Sequence, residues 1–226
     1  MSMKTFTIFG NWIFHYRNFL FPLFYAALFI PSTAIFQGKG LALITGLIFI
    51  LTGMLIRSIT IGLVYIIRGG AKRQIHADTL VTEGIYKVCR NPMYLGNILL
   101  IFGFGLFANS LLFILLFSPL FVLFYMAIIA AEENFLLKKF GQQFIDYKSQ
   151  TNAILPKFKN ISLAFEGQTF KWKNVIYKEY NSLFIYFTGI LLILLYNEII
   201  VLKTFLIIEI AFLIIYLLIK FLKYKK

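Results

Sequence analysis

At 226 residues, 60% hydrophobic and 19% aromatic, the chain has too little polar surface to cover a core in water, which excludes an ordinary soluble domain and points to an integral membrane protein. A net charge of +13 would suit nucleic acid in a soluble protein, but in a membrane protein it reads as the Lys and Arg excess of cytoplasmic segments, so no nucleic-acid partner is expected. One cysteine excludes an internal disulfide, and two histidines with no His-x-x-x-His pair argue against zinc, so no metal is expected.

Taken in order, Met1 to Asn18 is mixed in polarity and lacks the apolar core and small-residue cleavage site of a signal peptide. It reads as an interfacial segment with Trp12 and Tyr16 at headgroup level. Phe19 to Phe36 is the first span, with Pro22 and Pro31 near its ends and a turn at Gln37-Gly38-Lys39-Gly40. Leu41 to Ile67 is a second, tilted span that projects past the membrane towards Arg68-Gly69-Gly70. Arg57 lies about 24 Å along it, where the expectation is a snorkelling side chain rather than one gripping an anion.

A polar connection runs from Gly69 to Pro92, with Lys72, Arg73, His76, Asp78, Glu83, Lys87 and Arg90. Cys89, beside Arg90, is expected to fill a helix contact rather than react. Tyr94 to Ala108 is a short third span, Asn109-Ser110 a turn, and Leu111 to Ala131 the fourth span, kinked at Pro119. Glu132 to Ser182 looks amphipathic and soluble. A hairpin of Leu183–Tyr196 and Val201–Leu222 then turns at Asn197-Glu198. Glu209, early in the last helix, is expected to sit exposed at the interface.

These passes predict an all-α, polytopic transmembrane bundle of about six spans. If the amino terminus, residues 68–93, residues 132–182 and the carboxyl tail share one side, that side carries 19 of the 22 lysines and arginines. It should face the cytoplasm of a bacterial inner membrane or of an internal membrane. The two most polar blocks, Asp78–Gly96 and Glu132–Tyr147, then meet there and form a cytoplasmic pocket.

In the first block Gly84 and Gly96 allow close backbone approach, and Asn91-Pro92 opens a helix. Arg90 beside that helix start suits a carboxylate or phosphate, while Tyr86 and Tyr94 offer rings and hydroxyls; a plain membrane re-entry loop explains the same residues equally well. Glu132-Glu133 ends a spanning helix, where the helix dipole favours cations instead. The pair suits an ammonium, a ribose diol or Arg90, or else a solvated helix end.

The string Leu-Val-Thr-x-Gly-x-Tyr-x-x-x-Arg-Asn-Pro-x-Tyr-x-Gly from Leu80, followed by Glu-Glu and Phe-Gly-x-x-Phe-x-x-Tyr, resembles the isoprenylcysteine carboxyl methyltransferase family. It is also similar to the wider group that includes membrane phospholipid methyltransferases. The resemblance covers about Leu80 to Tyr147. It implies methyl transfer from S-adenosylmethionine to a lipophilic acceptor, a carboxylate or an amine, reaching in from the bilayer lipids. By position, Asp78, Thr79, Leu80, Val81 and Tyr86 would line the cofactor pocket. Asn91, Pro92, Met93 and Tyr94 would give the helix-start contact, and Glu132 would close the pocket. Charge suggests that Arg90 orients the methionine carboxylate, and Glu133 is the candidate for work on the acceptor.

Three departures stand out. Asp78 replaces the family's usual His, with His76 two residues earlier as a substitute, and Asn91 stands where His is frequent. Ile128 occupies the position of an Arg attributed to the substrate carboxylate in eukaryotic prenylcysteine enzymes. The chain divides into amino-terminal spans (1–67), a methyltransferase core (68–155), and an amphipathic linker with the carboxyl-terminal hairpin (156–226). A membrane lipid reductase using a nicotinamide cofactor and a non-catalytic scaffold or transporter are the rival readings. The sequence leaves the oligomeric state open.

Overall fold

The computed structural model describes residues 3–64 and 75–225, and these form seven α-helices joined by turns and short 3-10 or π segments. They are α1 (Met3–Ala26), α2 (Lys39–Leu63), α3 (Pro92–Phe107), α4 (Ser118–Phe140), α5 (Gln142–Gln150), α6 (Trp172–Tyr196) and α7 (Leu202–Tyr224). A π-helical turn, Phe113–Phe117, leads into α4 just ahead of Pro119, where the sequence predicts a kink. Among the described residues, four stretches are long and apolar enough to cross a membrane: Lys39–Leu63, Phe113–Phe140, Trp172–Tyr196 and Leu202–Tyr224. Pro92–Phe107 is a shorter apolar helix. The all-helical, multi-span expectation therefore holds. The basic connection at Arg68, Lys72 and Arg73 lies outside the described residues.

Two boundaries differ from the sequence reading. Residues 3–18 are the first half of α1, continuous through Pro22, and not a separate interfacial segment. Their mixed polarity is amphipathicity: Phe6, Phe9, Ile13 and Phe14 turn inward, while Trp12 and Tyr16 face out. Gly10 lies so close to the Ala127 carbonyl of α4 that no side chain fits there. The helix stops at Ala26, and the expected second half of the first span is instead a turn and an extended strand-like segment. Ile35 and Phe36 donate their N–H groups to Asn109 Oδ1 at 2.9 Å each, which pins that segment to the predicted Asn109-Ser110 turn.

The second correction concerns α6, which begins at Trp172 and not at Leu183. Val175, Glu179 and Tyr180 are buried on its inner face, while Lys173 and Lys178, which made the segment look soluble, stay exposed. The Lys171 N–H donates to the Gly62 carbonyl at 2.8 Å and sets α6 beside the end of α2.

The tightest packing joins α2 to α3. Gly46 and Gly53 face Gly103 and Gly96, each pair spaced seven residues apart, so small residues recur every two turns along the seam. A Cβ at Gly96 would sit 2.9 Å from the Gly53 carbonyl oxygen and 2.7 Å from Arg57 Cγ. Antiparallel packing of α1 on α4 and of α6 on α7 completes the bundle. The start of α1, the end of α2, the starts of α3 and α6 and the ends of α4 and α7 gather at one end.

Candidate functional site

At that end the first polar block is held as a backbone frame. Gly84 takes a left-handed φ of +58°, and an added Cβ would collide with Val64, so glycine is needed on both counts. The N–H groups of Arg90 and Asn91 donate to the carbonyls of Asn152 and Ala153 at 2.9 and 3.1 Å, and Lys157 N–H donates to Val88 at 2.9 Å. Asn91 also donates through Nδ2 to the Ala153 carbonyl at 3.0 Å. Its own carbonyl accepts the Tyr94 and Leu95 N–H groups and so starts α3. The Tyr147 hydroxyl donates to the Tyr86 carbonyl at 2.8 Å, tying α5 to the turn Gly84–Lys87.

The second block meets this frame through side chains. Glu133 Oε1 accepts from Arg90 Nη2 at 2.6 Å and Nε at 3.1 Å, and its other oxygen accepts from Lys148 at 2.7 Å. Arg90 donates further to the carbonyls of Lys148 and Thr151. The two residues expected to handle cofactor carboxylate and acceptor are therefore engaged with each other. Glu132 is buried one residue earlier, and its Oε1 accepts the Tyr94 hydroxyl at 2.7 Å. A recess of about 30 Å³ lies between the blocks, with Thr79, Leu80, Val81, Arg90, Asn91, Glu132 and Glu133 in its wall. Asp78 turns away: its side chain is 88% exposed and pairs with His76 at 2.9 Å.

Asn91 also borders a much larger cavity of about 1030 Å³ among α1, α2, α3, α4 and α6. Tyr86, Pro92, Met93 and Tyr94 line this second space, so the predicted cofactor residues divide between two compartments that adjoin at Asn91. Ile128 lines the cavity as well. A recess of the smaller size holds about one water, whereas a cavity of the larger size accommodates a nucleoside-sized ligand. Hydroxyl, amide and carboxylate groups suited to a ribose or an amino acid stand at the junction. The residues thus fit the expected cofactor only if it occupies the larger cavity and reaches the recess at Asn91.

Arg57 does not snorkel. It is 7% exposed and lines the large cavity, where Glu179 from α6 accepts from Nη2 at 2.7 and 3.0 Å and from Nε at 3.1 Å. Asn97 and Ser182 accept further N–H bonds. Burial drives this arrangement, because a guanidinium beneath tightly packed helices must find a counter-charge. Glu179 escaped the sequence reading. The available signal was its place four residues after Val175, on the buried stripe of a helix whose other early charges, Lys173 and Lys178, are exposed.

Glu209 is likewise not exposed at an interface: it accepts the Thr188 hydroxyl at 2.8 Å within the α6–α7 seam. Cys89 is buried, as a packing residue should be. No group of three or more His, Cys, Asp or Glu side chains among the described residues is placed to hold a metal ion.

Residues 41–143 match the family described as phospholipid methyltransferase, a segment that includes α2, α3, α4 and most of both polar blocks. The chain is similar to the cobalt-zinc-cadmium resistance protein CzcN of Cupriavidus metallidurans, with 39% identity over 80 residues. It is also similar to the nickel-cobalt-cadmium resistance protein NccN of Alcaligenes xylosoxydans xylosoxydans, with 36% identity over 78 residues. These matches take in 35% and 34% of this chain, and 37% and 36% of the two relatives. No solved structure matches the chain.

Proposed function

We propose, from the premise that residues 41–143 carry the phospholipid methyltransferase pattern, that this chain transfers a methyl group from S-adenosylmethionine to a lipophilic acceptor held in the membrane. The observation that carries the reading is the convergence of both polar blocks on Asn91 and the Tyr94–Glu132 contact, beside a cavity that reaches between the helices. When bound, S-adenosylmethionine supplies an electrophilic methyl on a sulfonium, so the protein's work is positioning and exclusion of water.

In this reading Tyr86, Asn91, Pro92, Met93 and Tyr94 hold the cofactor from the cavity side, and Thr79, Leu80 and Val81 meet it at the recess. Glu132, kept buried and oriented by the Tyr94 hydroxyl, accepts from a ribose hydroxyl or an ammonium. Arg90 and Glu133 are positioning residues that clamp α4 and α5 to the start of α3. The basic end of the bundle faces the cytoplasm, where the cofactor is found.

The test uses purified full-length chain in nanodiscs with methyl-labelled S-adenosylmethionine and host lipids. Wild type should bind the cofactor and label a lipid product, and Glu132→Ala should bind it at least about tenfold more weakly. Release of label by base identifies an ester and an acid acceptor; base-stable label identifies an amine. If wild type binds no S-adenosylmethionine, the proposal fails, and tight NADPH binding in its place would favour a reductase.

A further inference from the structure

We propose that residues 155–173, which lead from α5 into α6, dock on the anionic headgroups of the membrane that holds the helices, and that this docking steadies the turn Gly84–Lys87 at the candidate site. The consequence for a cofactor rests on the proposed methyl-transfer reading, whereas the docking follows from the segment itself.

For a segment in water this one is built inside out. Leu155, Phe158, Ile161, Leu163, Phe165 and Trp172 are each between 41% and 74% exposed, whereas the small Ala164 is fully buried. Hydrogen bonds to the site's own frame fix this arrangement. The Lys157 N–H donates to the Val88 carbonyl at 2.9 Å, and Asn160 Nδ2 donates to the Lys87 carbonyl at 3.2 Å. Large apolar side chains held outward together mark a surface that meets another apolar one. Because Lys87 and Val88 accept these bonds, a segment fixed from outside also holds the turn that precedes Arg90 and Asn91.

Height and charge name the partner. The Lys171 N–H donates to the Gly62 carbonyl, and the Phe170 ring lies so close to Gly62 that no Cβ fits there. A Cβ on Gly84 would lie 2.5 Å from Val64, the residue that ends α2, and 3.8 Å from the Ala164 carbonyl oxygen. The middle and the end of the segment are thus anchored beside the end of α2. Since α2 and α6 are both long and apolar enough to cross a membrane, this is the level at which two spans leave it. Between 155 and 173 the sequence has four lysines and one acid, Glu166, and Lys159, Lys171 and Lys173 are exposed. Aromatic and aliphatic side chains interleaved with lysines at that height suit the boundary between acyl chains and anionic headgroups. The whole segment lies outside residues 41–143, so this docking belongs to a part of the chain beyond the family-matched one.

The experiment puts a fluorescent reporter in the segment, Phe158→Trp, in full-length protein that also carries Trp12→Phe and Trp172→Phe, so that no other tryptophan remains. The protein is reconstituted in nanodiscs of phosphatidylcholine, with or without phosphatidylglycerol, whose acyl chains are brominated near the glycerol. Brominated lipid should quench the reporter, at least about twofold more strongly with phosphatidylglycerol present, and aqueous acrylamide should quench it correspondingly less. Lys159→Gln/Lys171→Gln/Lys173→Gln should abolish the dependence on phosphatidylglycerol, and arginine at the same three positions should keep it. If the triple glutamine variant does not fold, Lys159→Gln alone should weaken the dependence. Amide exchange across 84–88 in wild type should slow severalfold when phosphatidylglycerol is present. Strong acrylamide quenching with none from brominated lipid would put the segment in water and overturn the proposal. Equal lipid quenching with and without phosphatidylglycerol, or a dependence that survives in the glutamine variants, overturns it as well. Protection from both quenchers would mean that a protein surface, a second copy included, covers the segment, and that too overturns it. Charge-dependent docking without slower exchange overturns the steadying of the turn. No readout uses S-adenosylmethionine, so a protein that docks in this way yet binds no cofactor would sink methyl transfer alone.

Discussion

Arg90 and Arg57 each meet a glutamate from a distant helix, Glu133 at 2.6 Å and Glu179 at 2.7 Å, yet the two pairs sit in different surroundings. Arg90 has two backbone carbonyls as further acceptors, and its glutamate also holds the half-exposed Lys148. Arg57 has side chains alone, and its pair lies between the helices, with 9% and 5% of the two side chains exposed. The first pair keeps partners when one member is lost. The second, when Glu179 is lost, leaves the buried Arg57 charge with only neutral partners, Asn97 and Ser182.

The largest effect should therefore come from Glu179→Ala, which strands Arg57. About 3–5 kcal/mol of stability should go, seen as a large fall in the unfolding temperature in nanodiscs. Replacing both, as Arg57→Met/Glu179→Leu, should recover most of it. A double variant as unstable as the single one would break the contrast.

Arg90→Ala should cost somewhat less, about 2–3 kcal/mol, because Glu133 keeps Lys148. Its particular mark should be faster amide exchange across 142–153, the segment that Arg90 ties down. Unchanged protection there would mean that the backbone pairing of Arg90 and Asn91 suffices without the guanidinium.

Gly96→Ala sharpens the comparison from the packing side, since its methyl would press on the Arg57 stem and the Gly53 carbonyl. Overpacking should cost about 1–3 kcal/mol despite the better helix propensity of alanine, again read from thermal unfolding. Tyr94→Phe removes only the hydroxyl on Glu132 and should cost about 1 kcal/mol, with a severalfold loss of S-adenosylmethionine affinity as the clearer readout. Lys148→Ala should be the mildest, under about 1 kcal/mol, because that ammonium is half exposed. A larger loss would show that Glu133 depends on it as much as on Arg90.

Much of the candidate site was legible because its residues sit in one local pattern. The helix start at Asn91-Pro92, the turn glycine at 84 and the adjacent glutamates all declare themselves by type and spacing, and Asn91 and the two glutamates do meet at the recess. Asp78 was placed by analogy of position, but nothing local holds its side chain inward, and it faces solvent. Arg57 misled because a lone arginine near the end of an apolar run has the same one-dimensional signature whether it snorkels or pairs. Its partner is 122 residues away in sequence. The first half of α1 and of α6 looked interfacial or soluble because average polarity hides a face; only the neighbouring helix shows which stripe is covered.

By itself the sequence determined the class, the main apolar helices and the place of the two polar blocks. Long apolar runs must keep their backbone bonds internal in lipid, and the polar blocks cannot sit in the bilayer, so both follow from local chemistry. Only the tertiary structure decided that α1 and α6 flank a shared cavity, that Arg57 is matched by Glu179, and that Arg90 is spent on Glu133. These depend on which helix faces meet, and the bilayer rewards every apolar face alike. Close glycine contacts and buried charges that must find each other make that choice.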